Sequence, residues 1–143
     1  MKKIISLLLF LVATAHADGT ESLNDYLVNN QDLPQATLAQ EVLKRLAAGD
    51  GINVLDLQGN TPLMTAITLG LNRVAIVLLD RSANWKIHNL KRETALSLAT
   101  TRQEKEHDMQ DVINAIEARK QKMQHRSKKS IPENLFMAPG LEA

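Results

Sequence analysis

The sequence predicts an all-α fold, a helical repeat solenoid of about three helix pairs with atypical capping ends. Three observations carry this. Apolar residues recur at spacings of three and four through the middle of the chain, the stripe of a half-buried helix. The segments Thr61-Pro62-Leu63-Met64-Thr65-Ala66 and Thr94-Ala95-Leu96-Ser97-Leu98-Ala99 superpose at a single offset, aligning Thr61 with Thr94, Leu63 with Leu96 and Ala66 with Ala99. The same offset sets Leu46 on Leu79, Leu43 on Ile76, Asp56 on Asn89 and Ile52 on Trp85. A two-helix unit within one such period is too small to hide both its stripes, so neighbouring units must cover them.

The elements follow in order. Lys2 and Lys3 precede an apolar run from Ile4 to Ala13, and small residues then lead to Ala15-His16-Ala17. This is the pattern of a secretory signal peptide over residues 1–17, cleaved after Ala17. The run is too short to span a bilayer, which takes about 20 apolar residues. The expected folded domain, residues 18–123, begins with a capping helix over Ser22 to Asn29, using Leu23, Tyr26 and Leu27. Asp32 is expected to cap the next helix, with Pro34 near its start and Leu38, Val42, Leu43 and Leu46 facing inward as far as Gly49.

Gly49 to Asn53 reads as the turn between units. Thr61 then caps a helix with Pro62 at its first position, where the missing N–H costs nothing. Leu63, Ala66, Ile67 and Gly70 form its stripe, and Gly70 ends it. Asn72 is the expected cap of the following helix, whose Ala75, Ile76 and Leu79 are flanked by Val74 and Leu78. In the last pair Thr-Ala replaces Thr-Pro at Thr94. Val112, Ile113 and Ile116 match Ala75, Ile76 and Leu79 only if four residues are inserted in the polar stretch Thr101 to Asp108. The final helix runs on into Arg119-Lys120-Gln121-Lys122, and residues 124–143 read as a flexible basic tail with Leu135, Phe136 and Met137 as its one apolar patch.

The clearest unit runs Asp56-Leu57-Gln58-Gly59-Asn60-Thr61-Pro62-Leu63-Met64-Thr65-Ala66-Ile67, then Leu69-Gly70, then Val74 to Leu79. It resembles the ankyrin repeat, with its 33-residue period and T-P-L-H-x-A start, and departs from it at Met64, where the usual His stands. The resemblance covers about residues 36–118 and weakens toward both ends. It implies an ankyrin-type solenoid that binds another protein without catalysis, through its hairpin loops and the inner groove of its first helices.

Composition narrows the chemistry. The chain has no cysteine, so neither a disulfide nor a thiolate-held metal is available to it. His107 lies near Glu104, Glu106, Asp108 and Asp111, but without metal-ligand spacing this reads as a solvated charged loop. Ser82 and Ser97 lack a nucleophile-elbow context, and the six glycines are scattered rather than grouped into a phosphate loop. The expectation is no enzyme activity, no catalytic residue, no metal and no cofactor. The basic run Arg119 to Lys129 has no interleaved aromatics, which argues against nucleic acid.

The loops carry the candidate site. Ile52 to Gln58 holds Val54, Leu55 and Leu57, and the equivalent Trp85 to Arg92 holds Ile87 and Leu90. Ile52 and Trp85 are assigned to packing. Val54 with Ile87, and Leu57 with Leu90, share one phase and would form a stripe that a partner covers, or that the N-terminal helix or C-terminal tail covers within the chain. Met64 and Lys91 are expected near this surface. The implied partner is a protein in the periplasm. One alternative is an immunity or inhibitor protein blocking a toxin that acts there. A second is association with a membrane surface through the basic C-terminal segment.

Overall fold

The computed structural model describes residues 21–129. The expected signal peptide, and the tail from residue 130 onward, lie outside the described residues. Within them the regular structure is six helices and no strand. These are α1 (Leu23–Asn29), α2 (Gln35–Ala48), α3 (Pro62–Thr68), α4 (Asn72–Asp80), α5 (Ala95–Glu106) and α6 (Gln110–Lys129).

Side-chain caps begin three of the six helices. Ser22 Oγ accepts from the Asp25 N–H at the start of α1. Thr61 Oγ1 accepts from the Met64 N–H, with Pro62 beginning α3. Thr94 and Ser97 form a reciprocal capping box on α5. Two expected caps are not used. α2 starts after Pro34 with no side-chain cap, because the chain between Asp32 and the helix is exposed and water can serve its first N–H groups. Asn72 is the first residue of α4 rather than its cap, and its amide instead donates to the Asp108 carbonyl before α6. The side chain joins two helix pairs instead of closing one helix.

The helices form two rows. α1, α3 and α5 pack side by side in one, α2, α4 and α6 in the other, and each first-row helix packs on its partner in sequence. α2, α4 and α6 run parallel. At their starts Gln35 bonds the Gly70 carbonyl and the Arg73 N–H, and Asn72 bonds Asp108. At their ends Asn53 accepts from the Asn84 N–H, and Arg119 pairs with Asp80. Both inter-pair loops therefore rise at the same end of the molecule.

The left-handed backbone positions repeat with the sequence. Gly49 and Ser82 have φ of 108° and 68°, Gly59 and Arg92 78° and 61°, and Gly70 and His107 75° and 57°. The first two pairs are separated by the same offset as Thr61 and Thr94. The third pair is set wider, as a four-residue insertion requires. That insertion lengthens a helix rather than a loop: α5 has 12 residues where α3 has 7. The core between the rows is apolar, with Leu27, Leu38, Val42, Leu63, Ile67, Val74, Leu78 and Ile116 buried. Each such side chain contributes about 1.5–3 kcal/mol of transfer free energy. α6 continues to Lys129, past position 124, where the tail was expected to begin.

Candidate functional site

The two loops are built by one device used twice. Asp56 Oδ1 accepts from the Gln58 and Asn60 N–H groups, both at 2.8 Å. Asn89 Oδ1 accepts from the Lys91 and Glu93 N–H groups at 3.0 and 2.9 Å. In each turn a backbone bond closes the base, from the Asp56 N–H to the Asn60 carbonyl and from the Asn89 N–H to the Glu93 carbonyl. Asn89 and Asp56 thus satisfy donors that would otherwise face solvent singly in a tight turn.

The loops are tied to each other. The Leu90 N–H donates to the Gln58 carbonyl at 3.0 Å, and Asn89 Nδ2 donates to Asn60 Oδ1 at 3.0 Å. Gly59 permits this approach, since a Cβ there would stand 3.1 Å from the Leu90 nitrogen. A third attachment comes from α1. The buried Asn24 donates to the Val54 and Asn60 carbonyls and accepts from Thr65 Oγ1, clamping the first loop between α1 and α3.

This scaffold holds apolar side chains in water. Leu57 is 99 % exposed, Leu90 78 %, Leu55 52 % and Val54 42 %. Lys91 is exposed beside Leu90. Leu57 and Leu90 occupy equivalent positions on turns joined through Gln58, so the loop order brings them to one edge. Ile87 is half-buried and packs against the core, as do Ile52 and Trp85. The shared phase of Val54 and Ile87 thus does not give them equal exposure.

Met64 does not lie on the surface. It is fully buried, as is the whole segment from Thr61 to Ile67. α3 is the middle helix of its row, covered by α1 and α5 on its flanks and by α4 beneath. The inner groove consequently draws no apolar surface from Met64. Sequence reasoning passed over Val28 and Leu33, which are exposed in the first pair; each is a single apolar residue outside the helical stripes and gives no periodic signal.

The acidic stretch near His107 is not one loop: Glu104 and Glu106 lie on the end of α5, and the Asp108 carboxylate is held by Arg102 at 3.0 Å. Among the described residues no three His, Asp or Glu side chains are grouped to hold a metal. The clearest electrostatic perturbation lies under α1. Burial pushes the Tyr26 hydroxyl above its ordinary pKa, Glu41 adds to this, and the Arg45 guanidinium, 4.6 Å from the ring centre, opposes it. Compared with protein-family models and with curated proteins, the chain matches no family and no curated relative.

Proposed function

We propose that the chain is an exported, ankyrin-type repeat protein that binds another protein without catalysis, using its loop tips. The observation that carries this reading is the pair of exposed leucines, Leu57 and Leu90, on two turns fixed to each other and to the core. A preformed apolar edge loses little conformational freedom on binding, which favours its use as an anchor. The repeat assignment draws support from the loop turns and from two of the three pairs of left-handed positions, which recur at one common offset. Export rests on residues 1–17 of the sequence.

The test is affinity capture by the tagged chain from periplasmic extract, with Leu57→Asp/Leu90→Asp as the comparison. Ile87 is left intact because its half-buried side chain packs on the core, and a charge there would report folding. One stoichiometric protein captured by the parent and lost with the variant supports the reading. Undiminished capture by the variant places the interface elsewhere. If the captured protein is a toxin whose activity the chain blocks, the immunity or inhibitor role follows.

A further inference from the structure

The last part of α6, from Lys120 to Lys129, stands where a third inter-pair loop would rise, and it is a basic helix. α6 runs parallel to α4, joined near the starts by Asn72 and Asp108 and near the end by Arg119 Nη2 and Asp80 Oδ1 at 2.8 Å. α4 stops at Asp80, where the chain leaves for the second loop. α6 continues from Lys120 to Lys129, about 15 Å at 1.5 Å per residue. Every residue of this overhang is exposed, so no other described element covers it.

The overhang and the second loop share one end of the molecule and one sign of charge. Residues 118–129 contain six cations and no acid. Residues 81–92 contain Arg81, Lys86, Lys91 and Arg92, all exposed, and again no acid. Arg119 is paired with Asp80, but Lys120, Lys122, Arg126, Lys128 and Lys129 form no ion pair among the described residues. Attraction to the helix dipole acts within the last turn, so it accounts for Arg126, Lys128 and Lys129. It does not account for Lys120, Lys122 or the loop cations.

We propose that this end of the molecule docks on an anionic lipid bilayer, with the overhang of α6 and the second loop neutralising headgroup phosphates. Six of these ten cations are lysines, a residue depleted in protein–protein interfaces and frequent in polybasic segments that bind acidic lipid. Such a surface needs no pocket or shape match, only charge density on a common edge. Nucleic acid is disfavoured because Trp85, the aromatic nearest these cations in sequence, is half-buried against the core. Leu57 and Leu90 carry no charge and are not needed for this docking, although Leu90 stands beside Lys91 on the same loop.

The test is co-sedimentation of the purified full chain with vesicles of phosphatidylglycerol mixed with phosphatidylcholine, and with phosphatidylcholine alone. The comparison variant carries Lys120→Gln, Lys122→Gln, Arg126→Gln, Lys128→Gln and Lys129→Gln, with helicity checked by circular dichroism. The expected result is binding to the anionic vesicles alone, at least about tenfold weaker in the variant. Binding should also vanish at ~0.5 M salt, where the Debye length is only a few Å. Leu57→Ser/Leu90→Ser should bind vesicles like the parent, which separates this inference from the protein-binding reading. Absence of vesicle binding by the parent, or undiminished binding by the charge variant, overturns the proposal. Binding to polyglutamate with none to vesicles overturns it too, and assigns the surface to an acidic polypeptide.

Discussion

Asp56 and Asn89, one period apart in the sequence, hold the same turn through the same set of backbone bonds. Each side-chain Oδ1 accepts from the N–H groups two and four residues on, and each carbonyl accepts from the N–H three residues on. The two residues differ in their remaining atom. Asp56 Oδ2 accepts from Asn60 Nδ2, whereas Asn89 Nδ2 donates to Asn60 Oδ1 and to Glu93 Oε2.

The difference predicts that the two positions are not interchangeable. Asp56→Asn keeps the turn-forming acceptor and loses one partly buried bond, at under about 1 kcal/mol. Asn89→Asp sets a carboxylate beside Glu93 and removes one of the two bonds between the loops, at about 1–3 kcal/mol. Urea unfolding of both variants checks this. Equal costs would mean that the bonds from Asn89 Nδ2 contribute nothing.

Repetition of backbone conformation gives a second prediction. Ser82 takes at φ 68° the position that Gly49 fills one period earlier, closing α4 as Gly49 closes α2. In both places the last carbonyls are met by paired N–H groups, Gly49 to Leu46 with Asp50 to Arg45, and Ser82 to Leu79 with Ala83 to Leu78. A Cβ is disfavoured in this conformation by about 1–2 kcal/mol. Ser82→Gly should therefore stabilise the fold by about 0.5–1 kcal/mol after the added chain entropy. A lowered thermal midpoint would show that Ser82 makes a compensating interaction.

How much of this is legible in the sequence follows from which interactions are local. Thr61, Pro62, Gly49 and Gly70 act within one turn of their own helix, and each is readable from its neighbours in the chain. The period of the sequence makes the loops equivalent before any contact is known. Asn72 and Asp32 depart from expectation because a capping residue is recognised by type, while its use depends on what stands across from it. For Asn72 that is Asp108, 36 residues away. Met64 departs for a related reason. Its phase alone gives no sign that α3 is the middle helix of its row, with neighbours on both flanks. Asn24 has no periodic partner at all, yet it joins α1, α3 and the first loop.

Met64 and Leu57 supply opposite predictions. Met64→Ala empties space in the centre of the core and should cost about 2–5 kcal/mol. Leu57→Ala removes a side chain that is 99 % exposed and should change stability by no more than about 0.5 kcal/mol. Denaturant midpoints of the two variants, measured at equal slope, decide the matter. A large loss on truncating Leu57 would mean that the loop tip is covered in solution, and would remove the surface on which the proposed partner docks.

The pH dependence comes last and has a definite sign. Tyr26 is held in its protonated form by burial, with a further contribution from the Glu41 carboxylate, so its pKa is raised in the folded chain. Lys44 is raised as well, by its hydrogen bond to Glu41 and by that carboxylate's charge. For both groups the folded state keeps its proton to a higher pH than the unfolded state, whose values lie at about 10. The stability they supply is complete below pH ~10 and is lost as pH rises through that value toward the raised folded pKa values. Tyr26→Phe keeps the ring under Arg45 while removing one titration, and should flatten the alkaline fall in stability. Glu41→Gln removes the main cause at Lys44 and the smaller one at Tyr26, and should also flatten it. Chemical denaturation from about pH 8 to 11 measures the slopes, and an unchanged slope in Tyr26→Phe would show that the hydroxyl ionises alike in the folded and unfolded chain.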